Sequence, residues 1–65
     1  MSLNLADLVG KKVHVFREGH PRKGHDGVIL DYDTEPEGAI ILVEFSDAEE
    51  FIALENVLVK GGPNI

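Results

Sequence analysis

Val13 and Val15 alternate with Lys12, His14 and Phe16 across residues 12–17. That period of two predicts a half-buried strand over 11–17, with the valines on its inner face. The same alternation recurs over 27–33, where Val28, Leu30 and Tyr32 share one face and Ile29, Asp31 and Asp33 the other. Between the two strands lies GHPRKGHDG, whose Gly19, Pro21, Gly24 and Gly27 are turn residues. Residues 34–38, TEPEG, form the next turn. The segment 39–45, AIILVEF, is apolar on both faces, as expected of a strand that is central or covered by a neighbour. A turn at 46–49, a short strand over 50–54, a tight helical turn at 55–57 and a closing strand over 58–60 complete the order. The N-terminal MSLNLADLV is read as one helical turn that packs over an open end of the fold and stops at Gly10. Gly61, Gly62 and Pro63 make 61–65 a frayed tail.

Five short strands joined by turns favour a small barrel over an open sheet, since closure removes unpaired edges. The expected core is Val13, Val15, Val28, Leu30, Ile41, Val43, Ile52, Leu54 and Val57. The chain is a single domain, 1–65, and at this length the margin of stability is small.

Two stretches carry a resemblance. V-x-V followed by Gly19, Gly24, Gly27 and Val28-Ile29 resembles the KOW motif, which opens small SH3-like barrels. The segment 41–59, ILVEFSDAEEFIALENVLV, is similar to the closing half of Tudor and SH3-like barrels. The resemblance implies an all-β, five-stranded SH3-like barrel with a helical turn before the last strand. It implies no particular activity, because such barrels carry many unrelated ones.

Charge divides the chain. Residues 1–30 hold Lys11, Lys12, Arg17, Arg22 and Lys23 against Asp7, Glu18 and Asp26, whereas 31–65 hold nine carboxylates against Lys60 alone. The net charge of −6 thus hides a basic loop on an acidic body. There is no cysteine, and therefore no disulfide and no sign of an oxidising compartment. No apolar run approaches a membrane span, and no basic-then-apolar leader is visible. The chain reads as soluble and cytoplasmic, with no membrane partner.

Candidate chemistry narrows quickly. Gly19 to Gly24 imitates a phosphate-binding loop, but His25-Asp26 replaces the required Lys-Ser/Thr, and a strand follows where a helix is needed. His14, His20 and His25 lack the spacing of a zinc set, so no metal and no cofactor are expected. No serine or threonine is patterned with a base, and no pocket is evident to desolvate a carboxylate pair, so the chain is read as non-enzymatic. The Tudor-like resemblance places Tyr32 and Phe45 near the positions of a methyl-lysine cage, with Asp47 as counter-charge. The chain has no Trp, and burial statistics assign Phe45 and Phe51 to the core.

The leading expectation is a non-catalytic binding or adaptor module for a protein partner, as in a phage-encoded accessory factor or a small subunit docking on a larger complex. Its partner surface is expected to join the basic loop to the acidic turn, through Phe16, Arg17, His20, Arg22, Lys23, Tyr32, Asp47 and Glu49. One alternative is RNA or DNA binding by the loop 17–25, its cations on phosphates and Phe16 as a stacking platform. Another is an acidic mimic of nucleic acid built from the carboxylates of the second half. The oligomeric state is left open.

Overall fold

The computed structural model describes residues 4–60. The tail expected at 61–65 lies outside the described residues, as do the first three residues of the N-terminal segment. Five strands run β1 (Lys12–Val15), β2 (Asp26–Glu35), β3 (Gly38–Glu44), β4 (Glu49–Ala53) and β5 (Val57–Lys60). Short 3-10 turns precede β1 at Leu5–Leu8 and β5 at Leu54–Asn56. All pairings are antiparallel in the order β4-β3-β2-β1-β5, so the fold is all-β, with an unclosed sheet whose edges are β4 and β5.

The central strand, β2, serves both halves of the sheet. Its first residues, Asp26 to Val28, pair with β1, and Val28 to Glu35 pair with β3. Between the halves the register shifts: Ile29 faces Val43 but Asp31 faces Leu42, leaving Leu30 as the extra residue of a β-bulge. A bulge bends its strand and sharpens the local twist. The bend matters because Val13, Val15, Ile29, Ile41 and Val43 are fully buried, and among the described residues no helical layer covers them. A flat five-stranded sheet would leave that face in water. The sheet therefore coils about its own apolar face. Ile52 of β4 and Val57 of β5, on the two edge strands, complete the interior, and each fully buried side chain contributes about 1.5–3 kcal/mol.

The ends are closed by local devices. Asn4 Oδ1 accepts the Ala6 N–H at 3.0 Å and caps the first 3-10 turn, which buries Leu8. The turn stops at Gly10 (φ +92°), whose N–H donates to the Ile29 carbonyl at 2.7 Å and ties it to β2. Leu5, Leu54 and Val59 pack around the rim of the core.

The expected inner face of β2 is corrected. Ile29 is fully buried while Leu30 is 36% exposed and Val28 half-buried, so inner and outer positions are exchanged. The reason lies at Gly27, which pairs with the inward Val13. A Cβ built there would lie 2.4 Å from Val43 Cγ1, 2.8 Å from the Glu44 carbonyl oxygen and 3.2 Å from Phe45 Cδ1. Only glycine fits inward at 27, and parity then turns Ile29 inward and Val28 outward. Past the bulge Tyr32 lies opposite Ile41 and returns to the inner side, 37% exposed. Leu8 and Phe45 join the core, and Leu54 is only partly buried.

Candidate functional site

The loop between β1 and β2 is built from overlapping turns. His20 N–H reaches the Arg17 carbonyl at 3.2 Å, Lys23 N–H that of His20 at 3.0 Å, and His25 N–H that of Arg22 at 2.9 Å. Gly24, at φ +89°, donates to the Val15 carbonyl at 2.8 Å and returns the chain to β1. His20 Nδ1 accepts the Arg22 N–H at 3.0 Å, so that imidazole shapes the loop.

Those turns aim Arg22 across the fold. Its Nε and Nη2 donate to Glu50 Oε2 at 2.9 and 2.7 Å, and its Nη1 donates to Asp47 Oδ1 at 2.9 Å. The guanidinium carbon lies 4.5 Å from the centre of the Phe45 ring, which His25 meets edge-on at 6.1 Å. Only 12% of the Arg22 side chain is exposed. The hydrogen bonds it donates to Glu50 and Asp47 raise the guanidinium pKa further, and the contact with Asp47 holds that carboxyl below its ordinary range. Arg22 thus fastens the β1–β2 loop to β4 and the β3–β4 turn, where backbone pairing is missing.

The remaining loop cations also have intramolecular partners. Arg17 Nε donates to Asn56 Oδ1 at 2.9 Å, its Nη2 to the Glu55 carbonyl at 3.3 Å, and its guanidinium lies 5.9 Å from the Phe16 ring centre. Lys23 pairs with Glu18 at 3.0 Å. Of the residues named from sequence, Arg22 and Asp47 meet directly, while Arg17 and Phe16 sit together beside the second 3-10 turn. Tyr32 belongs to the far half of β2, and Glu49 stands on the outer face opposite Glu44.

His14 Nδ1 and Asp26 Oδ1 lie 2.5 Å apart on the outer face, with Lys60 Nζ 3.6 Å from the same carboxylate. The His14 hydrogen bond first, and the Lys60 charge after it, lower the Asp26 pKa. Among the described residues no hydroxyl is hydrogen-bonded to this pair, and no three histidine or carboxylate side chains converge as a metal set would. No helix among them is long and apolar enough to cross a membrane.

A second feature escaped the sequence reading. On the outer face of β2, β3 and β4, Phe51 lies directly opposite Leu42, and Leu42 faces Asp31 next to the bulged Leu30. Phe51 is 66% exposed and Leu42 is half-buried. The next row holds Ile40 opposite Ala53. An apolar stripe therefore crosses three strands on the side away from the core, and at the Ile40–Ala53 row it opens into a groove of about 400 Å³ between the β2–β3 turn and the second 3-10 turn. The signal was present in 39–45, apolar on both faces, but the expected cover over its outer side is absent from the described residues. Against known proteins the chain matches no family model, no curated protein and no solved structure.

Proposed function

We propose that this chain is a non-catalytic protein-binding module, an SH3-like barrel of the KOW/Tudor type whose partner docks on the outer face of β2, β3 and β4. The strand order, the long bulged second strand and the 3-10 turn before the last strand support the barrel reading. The observation that carries the functional reading is Phe51, standing 66% exposed above Leu42 in a stripe continued by Leu30 and Ile40. Contiguous exposed apolar side chains rimmed by polar ones mark interaction surfaces, and buried aromatics anchor them once a partner is bound.

Charge argues against nucleic acid as the ligand. Arg22, Lys23 and Arg17, three of the cations that would meet phosphates, are hydrogen-bonded or ion-paired within the chain. Freeing Arg22 would strip both Asp47 and Glu50 of their partner, and the acidic second half repels a polyanion beyond the loop.

Affinity capture from extract of the source cells tests this reading, using the immobilised chain, its Phe51→Ser variant, and nuclease treatment. The expected result is a protein retained with or without nuclease and lost by Phe51→Ser, the variant keeping the wild-type amide spectrum. Retention that nuclease abolishes, with Phe51→Ser behaving as wild type, would overturn it in favour of nucleic acid.

A further inference from the structure

We infer that the groove beside the outer stripe takes a basic, amphipathic segment of the partner protein, one that combines an apolar side chain with flanking Lys or Arg. This rests on the protein-binding reading above and adds the chemistry of what is bound. The groove floor is apolar, formed by Ala39, Ile40, Ala53 and Leu54. Its rim carries the carboxylates of Glu35, Glu37 and Glu55. Among the described residues no ion pair reaches these three. Arg17 meets Glu55 only at its main-chain oxygen. Between Asp31 and Val59 the chain contains no Lys, Arg or His at all, so nothing on this stretch offsets the rim.

An apolar floor inside an acidic rim discriminates among occupants. A purely apolar segment would bury its surface and leave the carboxylates unanswered. A polyanion would be repelled, and a second copy of this chain, at net charge −6, brings mostly further carboxylates. A segment with alternating apolar and cationic side chains answers both features, and the long-range field of the acidic half accelerates its approach. Ile40 belongs to both groove and stripe, so one extended segment leaving the groove meets Leu42 and Phe51 next.

Titration of ¹⁵N-labelled protein with a blocked nonapeptide, GKLKGKVKG, tests the assignment against two controls, GELEGEVEG and GKSKGKSKG. The expected result is amide shifts confined to residues 35–42 and 51–55, for the first peptide only or at least far more tightly. Three exposed ion pairs at surface strength make Glu35→Gln/Glu37→Gln/Glu55→Gln bind about tenfold more weakly. Ile40→Lys, which fills the floor with charge, removes binding, and raising the salt weakens it. Both variants are first checked for a wild-type-like amide spectrum, and the Gln variant, altered only at exposed positions, suffices alone if Ile40→Lys does not fold. Shifts centred on the β1–β2 loop, equal binding of GELEGEVEG, indifference to the Gln variant, or no shifts at millimolar peptide would each overturn the inference. Sedimentation of the chain alone adds one more: self-association abolished by Ile40→Lys would mean a second copy covers the groove. A captured partner lost by Phe51→Ser but kept by the Gln variant would end the basic-segment assignment and leave the protein-binding reading intact. A protein partner kept by both variants would end the placement of the partner on the outer face.

Discussion

Gly27→Ala adds one methyl group at a point where the fold has no room for it. Gly27 is not among the glycines with positive φ, so its backbone suits alanine and no conformational strain enters. In an open site the change would stabilise the protein by about 0.4–1 kcal/mol through the unfolded chain. Here the new Cβ falls 2.4 Å from Val43 Cγ1 and 2.8 Å from the Glu44 carbonyl oxygen. Val43 is fully buried and the carbonyl belongs to β3, so neither yields cheaply. Overpacking of this kind costs about 1–3 kcal/mol, leaving a net loss of about 1–2 kcal/mol after the entropic gain. For a small domain that corresponds to a fall in Tm of roughly 5–15 °C. Thermal unfolding followed by circular dichroism reads it directly. Val43→Ala alone costs about 1–3 kcal/mol by lost burial and cavity. In the double variant the closest contact is gone, so the loss should fall short of the sum by about 0.5 kcal/mol or more. The Glu44 carbonyl remains, so relief is incomplete. A Gly27→Ala protein as stable as wild type, or more so, would refute the inward placement of Gly27 and with it the face assignment of β2.

Three further outcomes follow from the same geometry. Ile29→Ala should cost about 2–5 kcal/mol in urea unfolding and Leu30→Ala about 0.5 kcal/mol or less; the reverse order would restore the alternation expected from sequence. Arg22→Gln should lower Tm, because the β1–β2 loop loses its attachment to Glu50 and Asp47, whereas Lys23→Gln, whose ion pair is exposed, should leave Tm near that of wild type. Asp26 and Asp47 both have carboxyl pKa values below the ordinary 3.8, lowered by hydrogen bonds from His14 and Arg22 respectively. Their contribution is present above the unfolded value and lost as pH falls through the folded ones, so stability should decline below about pH 4, and Asp26→Asn with Asp47→Asn should flatten that acid limb in urea titrations.

Most strand positions were legible because alternation and turn chemistry agree: β1, β3, β4 and β5 fall within a residue or two of their expected bounds. The inner face of β2 was not. Three large side chains, Val28, Leu30 and Tyr32, outweigh Ile29 in any count by parity, yet the glycine at 27 decides the matter, because its neighbours across the strand leave no space. A bulge then restores Tyr32 to the inner side, and no period-two reading can anticipate a change of phase within a strand. At the candidate surface, the basic loop and the acidic turn were visible as charge, but not that they satisfy each other. Glu50 shares the face of Ile52 on β4, so its inward direction was recoverable from parity, but its pairing with Arg22 was not. The same parity sets Phe51 outward, although composition alone assigns it to the core.

The outer face of β4 as a partner surface is tested most directly by photo-crosslinking. The chain would carry p-benzoylphenylalanine at position 51, or at position 20 in the basic loop, in extract of the source cells with and without nuclease. A discrete protein adduct that survives nuclease is expected from position 51, and none of comparable yield from position 20. Adducts formed from position 20 alone, or adducts that disappear with nuclease, would contradict it.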